Sequence, residues 1–106
     1  NFTASGNVTA YSDVRLKSNI TTITNALNIV NSMRGIRFDK EGNRGIGVIA
    51  QEIQKVLPEV VIENGDSDKT LSVAYGNISG VLIEAIKELT EQVEKLKAEI
   101  KELKGQ

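Results

Sequence analysis

One stripe of apolar side chains constrains this chain more than any other feature. Leu82, Ile86, Leu89, Val93, Leu96, Ile100 and Leu103 recur at alternating steps of four and three. The pattern is a heptad with Ile86, Val93 and Ile100 at a, and Leu82, Leu89, Leu96 and Leu103 at d. No Gly or Pro interrupts it between Gly80 and Gly105, and the outer positions carry Glu, Lys, Gln and Ala, which favour a long helix. A helix cannot bury its own stripe. The last turns are polar everywhere else, through Glu94, Lys95, Lys97, Glu99, Lys101 and Glu102. The spacing therefore predicts a coiled coil between copies of the chain, starting near Ser79.

The number of strands stays open at this level. Ile or Val at a with Leu at d leans towards a parallel dimer, and no polar a residue enforces one. Ile83 at e and Ala85 at g broaden the apolar face at the helix start. That suits either three strands or packing against the preceding globular part. Glu99 and Lys104 can pair between parallel chains, an exposed contact worth about 0.2–1 kcal/mol.

Composition narrows the chemistry. With 106 residues the chain holds one small domain plus the helix, a modest core for a free-standing monomer. Thirteen basic residues against 14 acidic ones leave no footprint for nucleic acid. There is no Cys for disulfides or thiolates, which leaves the compartment open, and no His, the usual general base and commonest metal ligand. No cofactor is expected. No apolar run reaches membrane-spanning length, and no signal-peptide pattern opens the chain. The abrupt Asn1-Phe2-Thr3 start reads as part of something longer.

Taken in order, residues 1–11 alternate Phe2 and Ala4, then Val8 and Ala10, around a Ser5-Gly6-Asn7 turn signal. They read as a surface hairpin or as one rung of an upstream β-structure. The sequons at Asn1, Asn7, Asn19 and Asn77 carry little weight in an Asn/Thr-rich chain. Ser12-Asp13 reads as a turn or cap pair, and residues 14–23 are β-branched and predicted extended. Thr24 is the predicted cap of a helix with Ala26, Leu27, Val30 and Met33 on one face, ending near Gly35. Ile36 to Asp39 is a strand, 40–43 a turn, and Ile46 to Ile49 an apolar run. Residues 50–57 form a short helix with Ala50, Ile53, Val56 and Leu57 inward, stopped by Pro58. Glu59 to Glu63 and Thr70 to Tyr75 are strands around the loop 64–68. The expected fold is α+β: short strands and two short helices over residues 12–78, then the long helix over 79–106.

Candidate sites are few. Gly45-Ile46-Gly47 lacks the third glycine and the βαβ unit of a nucleotide loop and reads as a glycine-bearing strand. Asp66 and Asp68 are too few oxygens for an EF-hand, so no metal site is expected. Ser12 and Lys17 remain. A serine needs a base to take its proton, and without His that base is a lysine. An ordinary lysine, at about 10.4, is charged near neutral pH; bringing one close to 7 costs about 4–5 kcal/mol, from burial or a neighbouring positive charge. Arg15 is near in sequence. On a straight strand the pair would lie more than ~15 Å apart on opposite faces. A bend or a pairing across chains is required; otherwise they are a turn serine and a solvated lysine.

An ordered set of motifs runs through the chain: Ser12-Asp13-x-x-x-Lys17-x-x-Ile20, then Asn25-Ala26-Leu27, then Gly47-Val48-Ile49-Ala50-Gln51-Glu52 with Leu57-Pro58-Glu59-Val60. Val73-x-Tyr75 and Leu82-Ile83-x-Ala85-Ile86-Lys87-Glu88-Leu89 follow. Over residues 11–95 this set resembles the self-cleaving C-terminal chaperone domain of phage tailspikes, tail fibres and endosialidases, a domain type shared with myelin regulatory factor. The resemblance implies an autocatalytic serine endopeptidase that acts once, on itself. It would form a parallel homotrimer, template the folding of an upstream fibre ending within residues 1–11, and then release itself. Ser12 would be the nucleophile and Lys17 its base, with the cut at Ser12-Asp13, or at the bond on the other side of Ser12. Gln51 and Glu52 would orient the dyad or polarise the scissile carbonyl; alternatively they satisfy the amides of their own helix. Some relatives carry a histidine that this chain lacks. The implied setting is a virion tail-fibre precursor assembled in the host cytoplasm, whose partners are its own copies and the upstream fibre, with neither nucleic acid nor membrane. A non-cleaving structural tip and a coiled-coil module that binds another protein are the alternatives.

Overall fold

A computed structural model of the chain describes residues 11–105; the hairpin expected over residues 1–11 falls outside them except for Tyr11. A single 3-10 turn, Val14–Leu16, is followed by helix α1 (Ala26–Asn31) and the strands β1 (Ile36–Lys40) and β2 (Asn43–Gly47). Next come helix α2 (Ala50–Val56), a second 3-10 turn (Pro58–Val60), β3 (Val61–Glu63), β4 (Leu71–Val73) and helix α3 (Tyr75–Lys104). The architecture is α+β, short strands and short helices followed by one long helix.

Each hairpin follows from its turn residues. In β1–β2 the register runs from Ile36 opposite Gly47 to Lys40 opposite Asn43, leaving Glu41 and Gly42 as the whole loop. Both have positive φ, 51° and 81°, the backbone of a primed two-residue turn. In β3–β4, Asp66 closes the loop: its carboxylate accepts the Thr70 amide at 2.8 Å and the Thr70 hydroxyl at 2.6 Å. Two-stranded ribbons are marginal alone. These two belong to separate sheets, so helices must cover them.

The core is where they meet. Ile53 of α2 and Leu57 just after it, Val60 of the 3-10 turn, and Ile78 and Val81 of α3 are buried together. Ile29, Val30 and Met33 pack on this cluster from the α1 side, and Val61, Val73 and Ala74 from the second hairpin. The inward face expected for α2 is observed: Ala50 and Val56 are half-buried, Ile53 and Leu57 buried, Gln51 and Lys55 exposed.

Helix α3 carries two faces. Ile78, Val81 and Ala85 are buried against the chain's own globular part. The heptad residues lie exposed beside them, from 40% at Val93 to 69% at Leu103. The two readings offered for the broad helix start are thereby separated. Ala85 is buried in its own domain, whereas Ile83 is 56% exposed.

Several boundaries differ from the sequence expectation. Residues 14–16 form a turn rather than a strand. Glu59 and Val60 belong to the 3-10 turn that Pro58 opens, so β3 begins at Val61. Tyr75 starts α3 instead of ending a strand, placing the helix start four residues before Ser79. Helix α1 stops at Asn31, well short of Gly35. Thr24 does not cap it. Asn25 takes the cap position with a left-handed backbone (φ 58°) and makes no side-chain cap bond. The carboxylate of Glu88 on α3 accepts the Ala26 and Leu27 amides at 2.9 and 3.0 Å instead. A tertiary contact has replaced the local one.

Candidate functional site

The segment holding Ser12 and Lys17 is built from a cap and a fork. Asp13 caps the first 3-10 turn, its Oδ1 accepting the Arg15 amide at 2.9 Å while its carbonyl accepts the Leu16 amide at 3.0 Å. The Arg15 guanidinium folds onto the same carboxylate, with Nη2 2.6 Å from Oδ2. That pair holds the Asp13 carboxyl below the usual carboxylate range, the side-chain bond from Arg15 being the main cause and the backbone bond adding to it. The Lys17 amide donates to the Val14 carbonyl at 3.1 Å and completes the turn.

This turn is the bend that the five-residue spacing requires. Because three residues are coiled rather than extended, Lys17 folds back and its Nζ donates to Ser12 Oγ at 2.8 Å. The contact is made within one chain. Residues 11–25 are all exposed, so a single copy offers the pair no burial. The charge of Arg15, the other resource the sequence offered for tuning the lysine, is matched by Asp13.

Gln51 and Glu52 stand in the first turn of α2. Both oxygens of Glu52 take the Arg34 guanidinium, at 2.7 and 3.3 Å. Gln51 is exposed and lines a groove of about 420 Å³ with Phe38, Val48, Leu71 and Tyr75. Among the described residues no hydrogen bond joins either of them to Ser12 or Lys17.

The glycine pair has a packing explanation. A Cβ on Gly47 would sit 2.6 Å from the Tyr75 hydroxyl, and one on Gly45 would sit 3.0 Å from the Phe38 ring. The Tyr75 hydroxyl in turn accepts the Val48 amide at 3.2 Å. These glycines admit aromatic rings, not phosphates. Asp66 likewise has its carboxylate occupied by Thr70, whose bonds lower its pKa.

Sequence reasoning passed over Glu88 because it sits at an outer heptad position. A signal did exist. Ile78, Val81 and Ala85 form a second stripe at the same spacing as the seam, and Glu88 continues it by one step.

The described residues thus combine a short turn carrying a serine–lysine contact, a small α+β body and a long helix with an exposed heptad face. Residues 12–62 match the sequence profile of the family described as chaperone of endosialidase, and that segment belongs to the family. In an alignment 103 residues long that covers 89% of this chain, it is 40% identical to the long tail fibre protein Gp37 of Enterobacteria phage K3, and equally to that of phage T2. It is 33% identical over 96 residues to the Gp37 of Enterobacteria phage M1. The chain spans 8% of the length of the K3 and T2 proteins and 38% of the M1 protein.

Proposed function

We propose that this chain is the trimerising chaperone of a phage tail fibre precursor, and that it releases itself from the fibre by one cut at Ser12. The observation that carries this reading is the Ser12 Oγ to Lys17 Nζ contact of 2.8 Å, held by a turn immediately after the segment read as the end of the fibre. The exposed seam from Leu82 to Leu103 supports assembly, with three strands taken from the family. Residues 1–11 form the fibre end, 12–78 the globular chaperone and 79–106 the coiled coil. The precursor assembles in the host cytoplasm and the trimmed fibre joins the virion tail. No cofactor takes part.

The chemistry uses the contact in reverse. With a neutral amine, Lys17 Nζ accepts the Ser12 hydroxyl proton along the line it now donates on. Oγ then bonds to a backbone carbonyl carbon, the C–N bond breaks, and the proton passes to the leaving amine. Water hydrolyses the resulting ester. The two bonds flanking Ser12 make different demands. Attack on the Tyr11 carbonyl closes a five-membered ring within one chain. Attack by Ser12 on its own carbonyl would close a strained four-membered lactone, so cutting at Ser12-Asp13 takes the hydroxyl of a second copy. Assembly also supplies the burial that a neutral lysine needs, which ties cutting to completed trimers.

Denaturing electrophoresis and mass spectrometry on a precursor carrying the upstream fibre test this. Ser12→Ala and Lys17→Ala each abolish cutting and leave the trimer intact, since neither lies in the seam. Lys17→Arg fails too, because a guanidinium stays charged. Cutting accelerates as pH rises, following the neutral amine. A released fragment beginning at Asp13 places the attack between chains; one beginning at Ser12 places it at the Tyr11 carbonyl, which the hydroxyl of the same chain can reach. A Lys17→Ala precursor that cuts at the parental rate rejects the dyad.

A further inference from the structure

Residues 11–25 are all exposed, and Ala26 is the first buried residue of the described chain. The strap bearing Ser12 and Lys17 is therefore tied to the body at its far end. Two contacts among the described residues contribute to that tie. Ile23 lies over Gly80, close enough that a Cβ there would meet its Cδ1 at 3.6 Å. The stronger tie is the Glu88 carboxylate, which takes the first two amides of α1 at 2.9 and 3.0 Å.

The placement of Glu88 joins two parts of the molecule. Its backbone belongs to α3, and the next residue, Leu89, is a d position of the unpartnered seam, 48% exposed. Its side chain, partly buried, holds the start of α1, a helix of six residues with no side-chain cap of its own. So short a helix has little stability alone; it packs along α3, and this carboxylate holds its first turn. Between Lys17 and Ala26 the chain passes through two non-glycine residues at positive φ, Asn19 at 52° and Asn25 at 58°. Such positions favour one defined path over a loose tether.

We infer that Glu88 is a positioning residue for self-cleavage: through it the assembled stalk sets where α1 begins, and so where the Ser12–Lys17 strap is presented. The inference rests on the proposed self-cleavage. Glu88 touches neither reacting side chain and takes no part in proton transfer.

The test uses the full precursor with its upstream fibre, in Glu88→Ala and Glu88→Gln forms. Cleavage rates are measured on isolated trimers, with sedimentation confirming the assembly. Glu88→Ala trimers cut at least tenfold more slowly than the parent, and hydrogen exchange at the Ala26 and Leu27 amides speeds up. Glu88→Gln, which keeps one carbonyl acceptor, falls between. Glu91→Gly is the control for stability alone, since it weakens the same helix at an exposed position outside the seam. At a comparable fall in melting temperature it cuts at the parental rate. Glu88→Ala trimers that match the parent overturn the inference, as does Glu91→Gly slowing cleavage equally. Failure of both Glu88 variants to trimerise overturns it too, making Glu88 a folding residue. A parental precursor that stays whole rejects the self-cleavage reading, and the role of Glu88 falls with it. A cutting parent with an unaffected Glu88→Ala trimer rejects Glu88 alone.

Discussion

At the scale of single residues, a few atoms decide whether a side chain is tolerated. Gly47 is the sharpest case, with the Tyr75 hydroxyl 2.6 Å from where its Cβ would be. Gly47→Ala should destabilise the domain by about 1–3 kcal/mol, as overpacking does. The same change in a Tyr75→Phe background should cost less, because the clashing oxygen is gone. Chemical denaturation of the two single variants and the double variant gives the coupling directly. Asp66 offers a pH test. Its folded pKa lies below its unfolded value, so the unfolded chain takes up protons first as the solution is acidified. Its contribution is complete above about pH 4, the ordinary carboxylate value, and is lost as pH falls through the folded one. The melting temperature of Asp66→Asn should therefore trail the parent at neutral pH and converge on it in acid. Ser12 and Lys17 were legible in the sequence as a pair, and so was the need for a bend between them. Ser12-Asp13 read as a turn or cap pair, and Asp13 does cap the 3-10 turn that makes the bend; the fork of Arg15 upon it was not read out. Val14 and Arg15 are equally compatible with an extended strap, so the coil over 14–16 did not show in them.

Among the elements, stability is concentrated where α2, the second hairpin and the base of α3 converge. Ile53 is fully buried there. Ile53→Ala should cost about 2–5 kcal/mol, the range for deleting a large core side chain, read as a shift in the denaturation midpoint. The first hairpin depends on its turn instead. Gly42 holds φ 81°, so Gly42→Ala should cost about 1 kcal/mol for the left-handed backbone, while Gly42→Asn should cost less. Periodicity and turn chemistry identified α2, the second hairpin, the first strand and turn of the first hairpin, and the long helix, because each is written in consecutive residues; β2 itself begins at Asn43, ahead of the apolar run expected from Ile46. The start of α1 was misassigned to Thr24 because its cap comes from Glu88, 62 residues away from Ala26. The strand expected at Glu59 was lost to the turn that Pro58 opens.

For the whole molecule the dominant fact is an unsatisfied surface. Leu82, Ile86, Leu89, Val93, Leu96, Ile100 and Leu103 are each at least 40% exposed in the single chain, along a helix whose opposite face is already committed at its base. The melting temperature should therefore rise with protein concentration, as it does when association is linked to folding. Leu89→Asp should dissociate the assembly by placing carboxylates in a desolvated seam. Sedimentation equilibrium checks both expectations. A stable parental monomer would refute the assembly, and a dimer would favour the a/d preference over the family's three strands.

What the sequence determined alone was whatever depends on spacing along the chain: the heptad, the inward face of α2, the turns, and the ordered motifs that pointed to the family. Side chains three or four apart on a helix, or two apart on a strand, share a face whatever surrounds them. Tertiary structure decided what depends on distant residues meeting. It committed Ala85 to the chain's own core, gave Glu52 to Arg34, and set Tyr75 against Gly47. It also moved the cap of α1 onto the stalk helix, because a carboxylate can satisfy two free amides from any part of the chain that the fold brings within hydrogen-bonding reach.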